Sequence, residues 1–200
     1  MTIDLFIMPL TRYLAGDYVS EAMRYAWSMG QPYRVETPDG ETAEVPRGMP
    51  FGGRDASAKR QALLPPMQEL FDSLPGIRAG HRPWDEASDA EPVFCGVDAN
   101  AYDLLVRDAR SQLEKRPSWI LRTATNEQAY TPHLAYAHYF VPFSFRAPFE
   151  RGAETIGSLD KLRNELEQLE PSAGAERVYR DFRVMCDRAQ ALRLPLIVDM

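Results

Sequence analysis

This sequence predicts an α/β or α+β fold: one domain with a mixed β-sheet packed by helices. Two observations predict it. Short apolar runs of strand character interleave with amphipathic helical stretches from end to end of the chain, with one hairpin signal near the start. The 200 residues, 44% hydrophobic and 26% charged, can bury roughly 70% of their unfolded surface and need no staple. No linker divides the chain convincingly. Residues 1–200 therefore read as one globular domain, with 75–92 the only candidate boundary.

The elements follow in order. Ile3 to Met8 is a buried strand, apolar at nearly every position after Asp4 and stopped by Pro9. Ser20 to Met29 is a helix with Val19, Met23, Ala26 and Trp27 as its apolar stripe and Gly30 after its C-cap. Tyr33 to Thr37 and Thr42 to Val45 flank Pro38-Asp39-Gly40, a hairpin in which proline presets φ and glycine supplies the left-handed position. Gly48 to Gly53 is a loop. Ala56 to Leu64 and Pro66 to Leu74 are helical stretches, expected to kink or separate at Pro65-Pro66 because an interior proline removes a donor and crowds the preceding turn.

Pro75 to Pro92 is the longest segment without periodicity, and a loop of that length is often functional or disordered. Val93 to Val97 is a short strand. Asp98 or Asn100 caps a helix running to about Lys115 with Tyr102, Leu105, Val106, Ala109 and Leu113 on one face. Trp119 to Thr123 reads equally as strand or helix. His133 to Phe145, HLAYAHYFVPFSF, alternates with both faces largely apolar or aromatic, and is expected to form the central strand of the sheet. A loop follows to Gly157. Ser158 then caps a helix that turns Leu159, Leu162, Leu166 and Leu169 inward. Glu176 to Leu192 is the last helix, with Val178, Phe182, Met185, Ala189 and Leu192 on its stripe, and Pro195 to Val198 is a closing strand.

Charge and motif content bound the function. The net charge is −6 with three lysines and no basic tract, which disfavours nucleic-acid binding and suits a basic protein partner or simple solubility. No apolar run approaches the roughly 18 to 20 residues a membrane helix needs, and MTIDLFIMPL lacks the basic n-region of a signal peptide. A cytoplasmic location without membrane attachment is the expectation; the oligomeric state is not readable. Cys95 and Cys186 lie far apart with no zinc spacing, so two free thiols and no structural metal are expected. Phosphate-loop, dinucleotide, zincin, nucleophile-elbow and EF-hand motifs are absent, and no cofactor is implied.

Candidate site residues come from three places. His133 and His138, five apart, would fall on opposite faces of a strand and could not share a metal. Either alone could serve as an acid/base, or sit hydrogen-bonded in an aromatic sheet. The segment His81-Arg82-Pro83-Trp84-Asp85-Glu86, with Asp89 and Glu91 beyond, has an aromatic anchor and acids suited to a protein partner. Trp84, Asp85, Glu86 and Asp89 are the expected contact residues; the alternative is that Trp84 folds back and pins the loop. Arg12, Tyr13, Asp17 and Tyr18 lie just beyond the first strand, where α/β sheets often build pockets, with Phe51, Gly52 and Gly53 as further contributors.

The order of an IDLFIMPL strand, an AMRYAW helix, a TPDGE hairpin and PFGG, followed by YFVPFSF, GSLDKLRNELEQLE and a terminal LPLIV, resembles bacterial proteins known mainly as uncharacterised hypothetical sequences. The resemblance touches much of the chain but is structural, and it implies no activity and no catalytic residues. Small acidic proteins of this sort include immunity partners of bacterial toxins. By that analogy the leading expectation is a protein-binding module, with an immunity-type protein as its example, ahead of an enzyme using His133 or His138 or a small-ligand-binding domain.

Overall fold

The computed structural model describes residues 2–36, 42–74, 82–114, 130–152 and 154–199. The fold is α+β, with a mixed six-stranded sheet in the order β4-β1-β8-β5-β7-β6. The chain groups into two compact units, residues 1–7 with 95–200, and residues 8–94.

The first unit carries the sheet. β1 (Thr2–Ile7) pairs antiparallel with β8 (Leu196–Asp199), setting Leu5 against Val198 and Ile7 against Leu196. β8 pairs antiparallel with β5 (Tyr139–Val141), and β5 pairs parallel with β7 (Glu154–Ser158). β6 (Phe149–Arg151) closes one edge against β7, and β4 (Val93–Asp98) forms the other. Leu5, Phe6 and Ile7 are consecutive and all buried, as are Tyr139, Phe140 and Val141, so these strands are covered on both faces.

The described residues of this unit form four helices: α4 (Ala99–Leu113), α5 (His133–Tyr136), α6 (Leu159–Gln168) and α7 (Glu176–Leu192). α7 packs on β1 and β8, α6 on β5 and β7, and α6 and α7 pack on each other. Leu159, Leu162, Leu166, Val178, Phe182 and Met185 all point into this layer. The Tyr102 and Phe182 rings stack 5.6 Å apart. Each stripe is the one its periodicity predicts, except that Leu192 is 43% exposed. Arg193 turns the chain into the left-handed region there, at φ 52, and Leu194 takes the buried place. Asp98 caps α4 through Ala101 N–H, and Ser158 caps α6 through Lys161 N–H.

The second unit holds α1 (Leu10–Leu14), α2 (Glu21–Ser28), the hairpin of β2 (Tyr33–Glu36) and β3 (Thr42–Val45), and α3 (Ala56–Ser73). Met23 and Trp27 of α2 pack against Val45, and the Trp27 indole N–H donates to the Val45 carbonyl. Gly16, at φ +66, and Gly52 sit so close that a Cβ on Gly16 would lie 2.5 Å from the Gly52 nitrogen. Only glycine fits that approach.

Three expectations about elements are corrected. The stretches on either side of Pro65 and Pro66 do not separate but form the single helix α3. Burial of Ala56 and Arg60 before the pair and of Met67, Leu70 and Phe71 after it keeps both halves in one element despite the lost donors. The segment 133–145 is not one strand. Pro132 starts a helical turn at His133, the chain becomes extended at Ala137, and only Tyr139 to Val141 pair. Pro142 has no N–H to extend the ladder. The stretch after Phe145 is not a plain loop, since it contains β6 and the start of β7. Residues Trp119 to Thr123 lie outside the described residues.

Candidate functional site

The segment expected to contact a partner is a structural buckle within the second unit. Trp84 is 3% exposed and meets the Phe71 ring edge-on at 4.5 Å. Its indole N–H donates to Glu86 Oε1. Glu86, also buried, accepts from Leu10 N–H at 3.1 Å and, through Oε2, from Thr11 N–H at 2.7 Å. These are orphan amides at the start of α1, whose N-cap, Pro9, has no capping side chain. Arg60 holds the segment from the other side, donating to the Glu86 and Ser88 carbonyls and to Asp89 Oδ1. That bond, then the Arg60 charge, keeps the Asp89 carboxyl below its usual range. Of the four expected contact residues, then, Trp84 and Glu86 are spent on folding, while Asp85 and Asp89 reach the surface.

The residues beyond β1 do assemble. Tyr18 stacks between Tyr13 at 6.2 Å and Phe51 at 5.6 Å, and Phe51 N–H donates to the Tyr18 carbonyl. Arg12 donates to the carbonyls of Asp17 and Ala90. These polar groups cross-brace three loops.

The two histidines separate in role. His133 is fully buried. Its Nδ1 accepts from Ser158 N–H at 2.8 Å and its Nε2 lies 3.2 Å from the Arg146 carbonyl. Nδ1 must therefore be bare and Nε2–H must donate, which fixes one neutral tautomer. Burial pulls its pKa down to about 4, against the opposing bond to Arg146. Both nitrogens are committed, so His133 has no free position for proton transfer. His138 is part-exposed, with Nδ1 3.6 Å from Glu154 Oε2. Burial, then Glu154, raises the pKa of the adjacent Tyr139. A carboxylate and a tyrosine thus stand beside His138, but it lines neither the small cleft between α6 and α7, walled by Arg163 and Asp187, nor the larger one on α6.

The larger cleft lies in the first unit and has a volume of about 530 Å³. Its wall is one face of α6, where Lys161, Asn164, Glu165 and Gln168 recur at i, i+3, i+4 and i+7; Leu113 and Tyr130 also line it. Glu165 is 2% exposed. Oε1 accepts from Tyr130 O–H at 2.5 Å and His133 N–H at 2.7 Å, and Oε2 from Leu134 N–H at 2.8 Å. Burial raises its pKa while these three bonds pull the other way. Glu165 does for α5, which Pro132 opens, what Glu86 does for α1, which Pro9 opens. Tyr130 is tied to this buried carboxylate and held at the cleft wall.

Sequence reasoning missed this site. One signal was present: Glu165 falls on the inward stripe of an amphipathic helix, where an acid needs buried donors. Among the described residues no group of three or more His, Cys, Asp or Glu could hold a metal ion, and no helix is long and apolar enough to cross a membrane. No disulfide joins Cys95 and Cys186, and burial pushes the Cys186 thiol up to about 12. Searches of protein-family models, curated proteins and solved structures returned no match to this chain.

Proposed function

We propose that this protein binds a small polar ligand in the cleft walled by α6. The observation that carries the reading is the cleft itself, about 530 Å³, which falls in the size range of small-molecule sites. Its lining supports it too: an ammonium, side-chain amides and an anchored tyrosine converge on it beside apolar Leu113. The enzymatic reading loses His133, whose nitrogens are both engaged. A thermal-shift screen of polar metabolites against wild type and Asn164→Trp tests the proposal. The exposed Asn164 can carry an indole that fills the cleft without touching the core. Compounds near 100-fold their Kd are expected to raise the Tm of wild type by about 5 °C or more, and to leave the variant unmoved. Hits that act equally on both proteins, or no hits, would overturn it.

A second reading, the protein-binding module of possible immunity type, has its own support. Tyr25 of α2 is 70% exposed and Met29, the C-cap one turn on, 61%, both away from the buried Met23 and Trp27. Tyrosine and methionine are enriched at interfaces. Under this reading Tyr25→Ala releases a stoichiometric partner that Asp85→Lys retains or only weakens. A partner indifferent to Tyr25 would remove α2 as the surface.

A further inference from the structure

We propose that the ligand of the α6 cleft is an organic monoanion whose carboxylate is held by Lys161 and Asn164; this rests on reading the cleft as a ligand site. Among the described lining residues, two are ionisable to a full charge near neutral pH, Lys161 and Glu165. They are not equivalent. Both Glu165 oxygens are saturated by Tyr130 O–H and the amides of His133 and Leu134. Lys161 is half-buried in the same wall, and no carboxylate lies within ion-pair distance of it among the described residues. Its field reaches Glu165 without an ion pair forming. Among the described residues the cleft therefore presents a cation with no counter-ion and, behind it, an anion already satisfied.

Neighbouring groups narrow the chemistry. The Asn164 side chain, next on the same face, has no hydrogen-bond partner among the described residues, so an ammonium and an amide donor stand side by side. The Gln168 amide is held by one of its N–H groups, which donates to the Asn164 backbone carbonyl. Tyr130 O–H already donates to Glu165, so towards the cleft it offers only lone pairs. A carboxylate takes one ammonium and one amide donor with its two oxygens. A phosphate dianion would bring a second charge that nothing in this wall balances, close to a buried carboxylate that accepts but does not donate. Leu113 and the Tyr130 ring suit an apolar body on the acid.

Amide-resolved NMR titration of the full chain tests this, with benzoate and hexanoate as probes, benzamide and hexanamide as neutral isosteres, and inorganic phosphate. The acids are expected to shift the Lys161, Asn164 and Gln168 amides saturably. The isosteres should bind about tenfold more weakly, as should the acids to Lys161→Met, since each change removes one charge-assisted bond. The isosteres should not distinguish Lys161→Met from wild type, which also checks that the variant is folded. Isosteres binding as tightly as acids overturn the anion and leave the cleft a ligand site. Phosphate binding more tightly than both acids overturns the monoanion. No probe of any kind shifting α6 overturns the inference and the cleft reading together.

Discussion

The backbone N–H of Ser158 donates to Nδ1 of His133 across 2.8 Å, and that bond makes the histidine a structural acceptor. Glu165, on the helix that Ser158 caps, returns the exchange by accepting the His133 N–H. Each of the two elements thus satisfies a buried donor of the other. A polar latch of this kind is costly to half-open, because the partner left behind stays buried and unpaired.

His133 gives stability a pH dependence of defined sign. Its folded pKa, about 4, lies below its unfolded value of about 6.5, so the unfolded chain binds the extra proton between them. The contribution is complete above about pH 6.5 and is lost as pH falls towards about 4, on the order of 2–3 kcal/mol. Glu165, raised by burial, acts with the opposite sign, favouring the folded state as pH falls below its folded pKa. The expected outcome is that His133→Asn, which keeps an acceptor for Ser158 and does not titrate, steepens less than wild type between pH 6.5 and 4.5 in urea melts. Parallel pH profiles would discard this role for His133.

Glu165→Gln is expected to cost about 2–3 kcal/mol, since an amide keeps one acceptor but turns an N–H donor towards a backbone donor it cannot satisfy. Tyr130→Phe, which removes one of three bonds to the carboxylate, should cost about 1 kcal/mol. The double variant should fall short of the sum, because both changes remove the same bond. Chemical denaturation of the four proteins measures the coupling, and strict additivity would show that Tyr130 does not support Glu165.

Trp84→Ala should destabilise by about 3–5 kcal/mol through the cavity beside Phe71. Asp85→Lys should stay within about 0.5 kcal/mol, as exposed substitutions do. A Trp84→Ala protein as stable as wild type would mean that the indole is not part of the core.

Gly157→Ala should cost about 1–3 kcal/mol, because its Cβ would lie 2.6 Å from the Ala137 Cβ and 3.1 Å from the Phe140 ring. Ala137→Gly in the same chain should recover part of the loss. Thermal melts of the single and double variants decide it, and a neutral Gly157→Ala would show that β5 and β7 are not packed this closely.

What the sequence determined by itself is local. The stripes of α2, α4, α6 and α7, the Asp98 and Ser158 caps, the pairing of Tyr33–Glu36 with Thr42–Val45 and the apolar strands at both ends follow from periodicity and short-range hydrogen bonding, which act over one or two turns of chain. The alternating run from His133 to Phe145 carried a strand pattern, yet its first turn is helical. The reason lies 32 residues away in sequence, where Glu165 accepts the His133 N–H that a strand would have given to a neighbour. Tertiary structure alone decided that two prolines would open helices capped by distant glutamates, that Trp84 would face inward, and that Lys161 and Glu165 would line one cleft. Buried donors must find acceptors wherever the fold brings them, and no spacing within a segment encodes which distant side chain arrives.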